Sequence, residues 1–348
     1  KMRKPIQFAV TLMLAAILGL SVAYAGEERT SETDERMARW LKRFPDADAN
    51  GDGVLTLDEA KAYRAKMPER GERRRARSET PEQPHPPKTH ADLKYGPHER
   101  NLLDLWLPEE ADSPVPLVVF IHGGGFVGGN KSKVSPDFVA LCLERGIAVA
   151  SINYRLVTTD PFPAPFHDGA RAIQYLRSRA GEFNIDPARV AVFGGSAGGG
   201  VSMWLGTHDD LADPGSDDPV ARQSSRVSAM GSIGGQCSYD PRVMRKWLGD
   251  GILKHPSLLR LYDADNLEEV LEPGEELDAL IRECSPITHV TPGDPPIILL
   301  YDENATGAHH PVLGLKMKEA MEAAGIEALF NPPMPRGRNH ALVDFFAR

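Results

Sequence analysis

Val190-Ala191-Val192-Phe193-Gly194-Gly195-Ser196-Ala197-Gly198 leads from a short apolar run into a small-residue helix start, and its last five residues form a G-x-S-x-G pattern. Such a stretch reads as a strand that turns sharply into a helix. The turn is tight, so the residues flanking the serine must be nearly free of side chain, and the serine oxygen then projects above the sheet as a candidate nucleophile. The backbone N–H that follows, on Ala197, points toward a bound carbonyl. G-x-S-x-G also occurs by chance in glycine-rich loops, so the surroundings have to decide.

Upstream, His122-Gly123-Gly124-Gly125-Phe126 follows directly on the apolar run Leu117 to Ile121. A glycine run at a strand end could be a plain turn. Its place at a strand end, ahead of an elbow serine, instead matches an element whose backbone N–H groups line an oxyanion hole. Gly124, Gly125 and Ala197 are the expected donors, and His122 reads as a hydrogen-bonding support for the loop rather than a proton carrier.

From about Lys94 onward strands and helices alternate. Leu102 to Leu107, Leu117 to Ile121, Ile147 to Ile152, Val190 to Phe193, Val227 to Ile233 and Ile297 to Tyr301 are strand-like. Pro136 to Arg145, Asp168 to Ala180 and Lys316 to Ala324 are helical in pattern. Short continuous apolar strands separated by helices predict an α/β fold with a mainly parallel central sheet covered on both faces. Ligands then gather at the carboxyl ends of the strands.

The region from Lys94 to the C-terminus resembles the hormone-sensitive-lipase-like branch of the α/β-hydrolase fold, which includes carboxylesterases and carbohydrate esterases. The resemblance rests on Leu102 to Pro108, His122 to Phe126, Asn153-Tyr154-Arg155-Leu156, Asp168 with the helix after it, and Asp186-Pro187-Ala188-Arg189-Val190 leading into Gly194 to Gly198. It implies ester hydrolysis through an acyl-serine, with the acid and the histidine C-terminal to Ser196. For the histidine it favours His340, just ahead of the final helix, over the pair His309-His310. The acid departs from the family pattern: Asn304-Ala305-Thr306-Gly307 offers no carboxylate at the usual place. Asp302 is the first choice, with Asp240, Glu303 and the absence of a working acid as alternatives. Residues 241 to 282 could build a cap. Because the region ahead of the first strand carries no cap helices, a hydrophilic or bulky ester is expected, such as an acetylated or feruloylated polysaccharide. A serine peptidase of the same fold, and a catalytically impaired hydrolase that acts as a binding module, are the competing readings.

Ahead of this region, residues 1–25 combine Lys1, Arg3 and Lys4 with an apolar run from Ile6 to Leu20 and the small residues Ala23 and Ala25. This is the pattern of a cleaved secretory signal peptide, and it predicts a secreted or periplasmic protein with no membrane attachment after cleavage. Cleavage would remove three positive charges and no acid, taking the formal charge from −9 to −12. So acidic a chain is a poor nucleic-acid binder. Its three cysteines, Cys142, Cys237 and Cys284, are too few and too scattered for a disulfide framework, and read as buried thiols.

Residues 30–67 read as an EF-hand module. Asp48, Asn50, Asp52, Thr56 and Glu59 put oxygen side chains at positions 1, 3, 5, 9 and 12 of a twelve-residue loop; Gly53 holds position 6 and Val54 offers its carbonyl at position 7. Calcium in a structural role is the expected ligand, with no cofactor needed for catalysis. Apolar residues Met37, Trp40, Leu41 and Phe44 recur at helical spacing before the loop. Residues 68–90 contain five prolines, six Lys or Arg and four acids with almost nothing apolar, so they read as a linker. The hydrolase-like domain is expected over 91–348. The acidic loop Asp209 to Asp218 reads as solvated charge rather than a second calcium site.

Overall fold

A computed structural model describes residues 30–32, 37, 38, 41, 42, 44–66, 84–109 and 111–348. The signal-peptide stretch 1–25, Trp40 and most of the linker lie outside the described residues. Two compact units are present, Lys1–Glu82 and Gln83–Arg348. Among the described residues no helix is long and apolar enough to cross a membrane.

The larger unit is built on eight strands: β1 (His90–Lys94), β2 (Leu102–Trp106), β3 (Val115–Ile121), β4 (Ala148–Ile152), β5 (Ile185–Gly195), β6 (Ala229–Ile233), β7 (Ile297–Leu300) and β8 (Ala328–Phe330). They lie side by side in the order β1-β2-β4-β3-β5-β6-β7-β8. β2 runs antiparallel to both its neighbours, and every pairing from β4 to β8 is parallel. The mainly parallel sheet read from the apolar runs is therefore present. β1 and β8 were not legible, because one is a polar edge strand and the other is three residues long.

Alternation along β3 explains the two covering layers. Leu117, Val119 and Ile121 pack with Phe166, Ile173 and Trp204 on one face. Val118 and Phe120 pack on the other with Phe138, Val139, Leu342 and Phe345. Both faces of a parallel strand are dry, which is why β3 reads as a continuous run rather than an alternating one. Helix Pro136–Glu144 starts from a Ser135 cap, whose hydroxyl accepts the Phe138 N–H, with Pro136 at its first position.

Part of the expected linker belongs to this unit. The Trp106 indole donates to the Pro86 carbonyl at 2.9 Å, and the Leu107 N–H to the Thr89 hydroxyl at 2.9 Å. Between β6 and β7 the chain leaves the sheet and forms helices Pro241–Leu248, Leu258–Tyr262, Leu267–Leu271 and Glu275–Cys284. This is the cap that the sequence left open. Cys142, Cys237 and Cys284 are buried and free, and burial drives the Cys237 thiol up to about 12.

In the smaller unit, Asp48 to Thr56 form a closed loop ahead of helix Leu57–Lys66. The Phe44 ring lies 5.9 Å from that of Tyr63 on this helix, so at least one apolar residue before the loop meets a neighbour within the unit. In the acidic loop of the larger unit, Asp210 accepts from the Ser225 and Ala212 amides, Asp213 from Gly215 and Asp218 from Val220. Those carboxylates are engaged in local turns.

Candidate active site

β5 ends at Gly195 and helix Ala197–Thr207 begins one residue later, which leaves Ser196 alone at the bend with φ 53°. A serine on that side of the Ramachandran map costs about 1–3 kcal/mol, and the fold has to hold it there. Two contacts do so. The Ser196 N–H donates to the Ile233 carbonyl on β6 at 2.9 Å, and the glycines on either side let the β3 end approach. A Cβ on Gly194 or Gly198 would overlap the Ile121 carbonyl. The G-x-S-x-G spacing is thus a packing requirement of the elbow.

The Ser196 hydroxyl meets His309: Oγ and Nε2 are 2.9 Å apart. His309 closes a short 3-10 turn, Gly307–His309, just after β7. The turn is held from below by Gln236, whose amide donates to the Ala308 carbonyl at 2.6 Å and to the Gly234 carbonyl at 3.2 Å. Tyr301 adds a hydroxyl bond to the Gly235 carbonyl at 2.7 Å. Sequence reading missed Gln236, since a lone glutamine in a glycine-rich turn carries no motif.

His340 is elsewhere, and this corrects the expected base. It sits in the first turn of helix Arg338–Phe346, which packs against helix Pro136–Glu144, and lines a groove with Asp137, Ala140 and Glu144. Its neighbour Asn339 donates to the Ser135 hydroxyl at 3.1 Å. Because the helix starts ahead of His340, the side chain is carried onto that flank. His309 and Ser196, by contrast, both follow carboxyl ends of parallel strands, β7 and β5, with β6 between them.

The candidate acids separate clearly. Asp240 caps helix Pro241–Leu248 and is engaged with Arg242 at 2.7 Å. Burial works against its charge, but the Arg242 hydrogen bonds outweigh that and hold the carboxyl below its usual range. Asp302 accepts the Asn304 N–H at 2.9 Å and lines one cavity with His309, Asn331 and Arg338. Glu303 is exposed. Among the described residues no carboxylate hydrogen-bonds His309.

The glycine loop lies beside the serine. Gly123 backs onto the Gly195 carbonyl so closely that an added Cβ would come within 2.6 Å of it. Gly124, Gly125 and Phe126 all have positive φ, which folds the loop over, and Gly125 lines the same pocket as Ser196. Ala197 is the first residue of its helix, where the N–H has no intrahelical acceptor. His122 is fully buried, stacks on Tyr154 at 4.2 Å, and contacts the Gly123 carbonyl through Nδ1 at 2.8 Å. Burial lowers its pKa to about 4, which fits a loop support. Asp168 forks onto Arg155 at 2.8 Å and accepts the Arg155 N–H, fixing the segment ahead of its helix.

The pocket at Ser196 is a small cavity of about 50 Å³, partly open to solvent. Its apolar wall comes from the cap, through Met244, Ile252, Leu253, Leu258 and Leu261. His255 and Ser257 add a polar edge, with Nδ1 and Oγ 2.8 Å apart. Burial, and then the nearness of His309, lower the His255 pKa.

In the calcium-loop candidate, the Asp48 carboxylate accepts N–H groups from Gly51 and Gly53, each at 2.8 Å. Asn50 accepts from Asp52, and Asp52 from Val54. Glu59 reaches back to the Ala49 amide at 3.2 Å and bonds the Thr56 hydroxyl at 2.7 Å. These bonds, the Thr56 amide first, lower the Glu59 pKa. The side-chain oxygens of positions 1, 3, 5 and 12 are thus all engaged in hydrogen bonds within this one loop, and oxygen donors of this kind are the type a hard divalent cation takes.

Residues 103–306, more than half of the chain, match the family BD-FAE. The chain belongs to the BD-FAE family. Among proteins similar to this BD-FAE member is the probable carboxylic ester hydrolase LipM of Mycobacterium tuberculosis, 28% identical over 218 residues, or 61% of this chain and 47% of LipM. Carboxylesterase NlhH of the same organism is 37% identical over 100 residues, or 29% of this chain and 31% of NlhH. The chain thus spans less than half the length of these relatives. A truncated carbohydrate esterase from gut microbiota superposes with a TM-score of 0.61 at 26% identity, covering 74% of this chain and 94% of that one. The BD-FAE match reaches from β2 to Thr306 and stops three residues short of His309.

Proposed function

We propose that the protein is a secreted or periplasmic serine carboxylesterase acting on a carbohydrate ester through an acyl-serine, with a calcium-stabilised EF-hand module at its N-terminal end. The observation that carries the reading is the 2.9 Å contact between Ser196 Oγ and His309 Nε2 beside the glycine loop. In the reaction, Ser196 Oγ attacks the ester carbonyl and its proton passes to His309. The oxyanion accepts hydrogen bonds from the N–H groups of Ala197 and Gly125, with Gly124 next in the loop; one such donor is worth about 3 kcal/mol. Collapse breaks the bond to the alcohol, which takes the proton from His309. Water then enters with His309 as base, and the carboxylic acid and free Ser196 are restored.

Asp302 is the carboxylate assigned to orient His309, because it shares the cavity at that ring. Asp48, Asn50, Asp52, Thr56, Glu59 and the Val54 carbonyl would hold calcium, which would stiffen the loop. The leader-like residues 1–25 support export, and the carbohydrate-esterase neighbour supports the sugar ester. The closing test is hydrolysis of p-nitrophenyl esters of increasing acyl length and of acetylated and feruloylated polysaccharide. Wild type is expected to release short acyl or feruloyl groups, and Ser196→Ala and Asp302→Asn to lose at least about 10²-fold in kcat. Turnover confined to long-chain triglyceride would overturn the substrate class. The absence of Ser196-dependent turnover would leave a binding module.

A further inference from the structure

Helix Ala197–Thr207 begins at the elbow, and His208 follows its last residue. There His208 meets Glu283, near the end of helix Glu275–Cys284, and His289, which follows the short turn Pro286–Thr288. One ligand-capable atom from each of the three lies within 4.8 Å of the others, and all three side chains are partly buried. No other cluster of this kind occurs among the described residues.

We infer that His208, Glu283 and His289 form a binding site for a divalent transition-metal ion of the zinc type. The contact pattern of His208 asks for a cation. Its Nδ1 lies 2.9 Å from the Asp209 carbonyl, and its Nε2 lies 2.6 Å from Glu283 Oε1. A neutral imidazole has one N–H for these two acceptors. With that hydrogen given to the backbone carbonyl, Nε2 turns a lone pair toward a carboxylate, and either a second proton or a metal ion has to sit between them. A backbone carbonyl on one ring nitrogen is also the usual way to aim the other at a metal.

The surroundings fit. Among the described residues no lysine or arginine pairs with Glu283; Arg226 is engaged with the His208 carbonyl and with Asp294. The His289 ring is steadied through Nε2, 2.8 Å from the Glu283 carbonyl. Trp204 stacks on His208 at 3.9 Å and donates to the same Glu283 carbonyl at 2.9 Å, which locks one ligand ring and the backbone of another. The site also sits at the C-terminal end of a helix, where the backbone dipole favours positive charge. Two ligands on one tetrahedral zinc lie roughly 3.3 Å apart, given bonds of about 2.0–2.1 Å. The 2.6 Å from His208 Nε2 to Glu283 Oε1 is shorter than that value, so the carboxylate draws back slightly to admit the ion. Two imidazoles and one carboxylate select zinc, nickel or copper over calcium, so this site is chemically distinct from the all-oxygen loop around Asp48.

The bound ion would clamp the last cap helix to the end of the helix that carries the elbow. The test is zinc titration of the full-length protein with calcium in excess, read by calorimetry and by the rise in Tm, with cobalt as a spectroscopic probe. Wild type is expected to bind one zinc per chain with a tetrahedral cobalt spectrum. His208→Gln and His289→Gln are each expected to bind on the order of 100-fold more weakly and to lose the zinc-induced rise in Tm. Ester turnover in the same variants reports that they are folded, and the wild-type cobalt spectrum stands even where a variant fails to fold. The absence of stoichiometric zinc in wild type, or unchanged zinc affinity in both variants, would reduce the cluster to an ion pair and overturn the inference.

Discussion

The Gln236 side-chain amide donates to the Ala308 carbonyl at 2.6 Å, one residue before the imidazole that faces Ser196. Gln236 touches no reacting atom, yet it pins the turn on which His309 stands. A positioning error of about 1 Å at a reacting group can cost on the order of 10² in rate. Gln236→Leu is therefore expected to lower kcat by about 10- to 100-fold with little change in KM. Steady-state kinetics on a soluble short-chain ester checks this. A change confined to KM would show that Gln236 contacts substrate instead.

His309 and His340 offer a direct comparison. His309→Ala is expected to reduce kcat by about 10⁴, the scale on which triad members act. His340→Ala is expected to stay within about twofold of wild type, because its ring lines the groove beside helix Pro136–Glu144. Parallel assays of the two variants decide the matter, and the reverse pattern would return the base to His340.

Much of this was legible in the chain because packing and chemistry ask for the same residues. Gly194 and Gly198 are needed sterically under the Ile121 carbonyl and so flag Ser196. Continuous apolar runs announced β3 to β7, whose faces are both dry. The base was not legible. His309 and His340 both follow late strands, and only the start of helix Arg338–Phe346 ahead of His340 turns that ring onto the wrong flank. Gln236 left no trace, since its role depends on a fold-dependent contact with a residue 72 positions away. The polar edge strand β1 was hidden because its alternation carries little apolar signal.

His122 predicts a pH dependence of stability. Its pKa falls from 6.5 in the unfolded chain to about 4 in the fold, because burial penalises the charged ring. The unfolded chain therefore takes up the proton first as pH drops. The contribution is complete above pH 6.5, is lost as pH falls toward 4, and amounts to about 3 kcal/mol across that window. Urea unfolding between pH 7 and pH 4 should show a shallower loss for His122→Gln than for wild type. Parallel curves for the two proteins would contradict the assignment.

The loop at Asp48 makes a calcium prediction. Calcium is expected to raise the thermal stability of the N-terminal unit, and Glu59→Gln to weaken binding by on the order of 10-fold or more by replacing one carboxylate oxygen with an amide nitrogen and removing the charge. Calorimetric titration with calcium on both proteins is the check, and equal affinities would exclude Glu59 as a ligand.

The pocket wall has a consequence for how such an enzyme changes its diet. Met244, Ile252, Leu253, Leu258 and Leu261 all come from one short uninterrupted piece of chain, whereas Ser196, Gly125 and His309 come from three separate strand ends. The reacting groups cannot be exchanged without rebuilding the sheet. The wall can be replaced as a single cassette, so new ester preferences are open to recombination over residues 241–262 while the nucleophile and its partners are inherited intact.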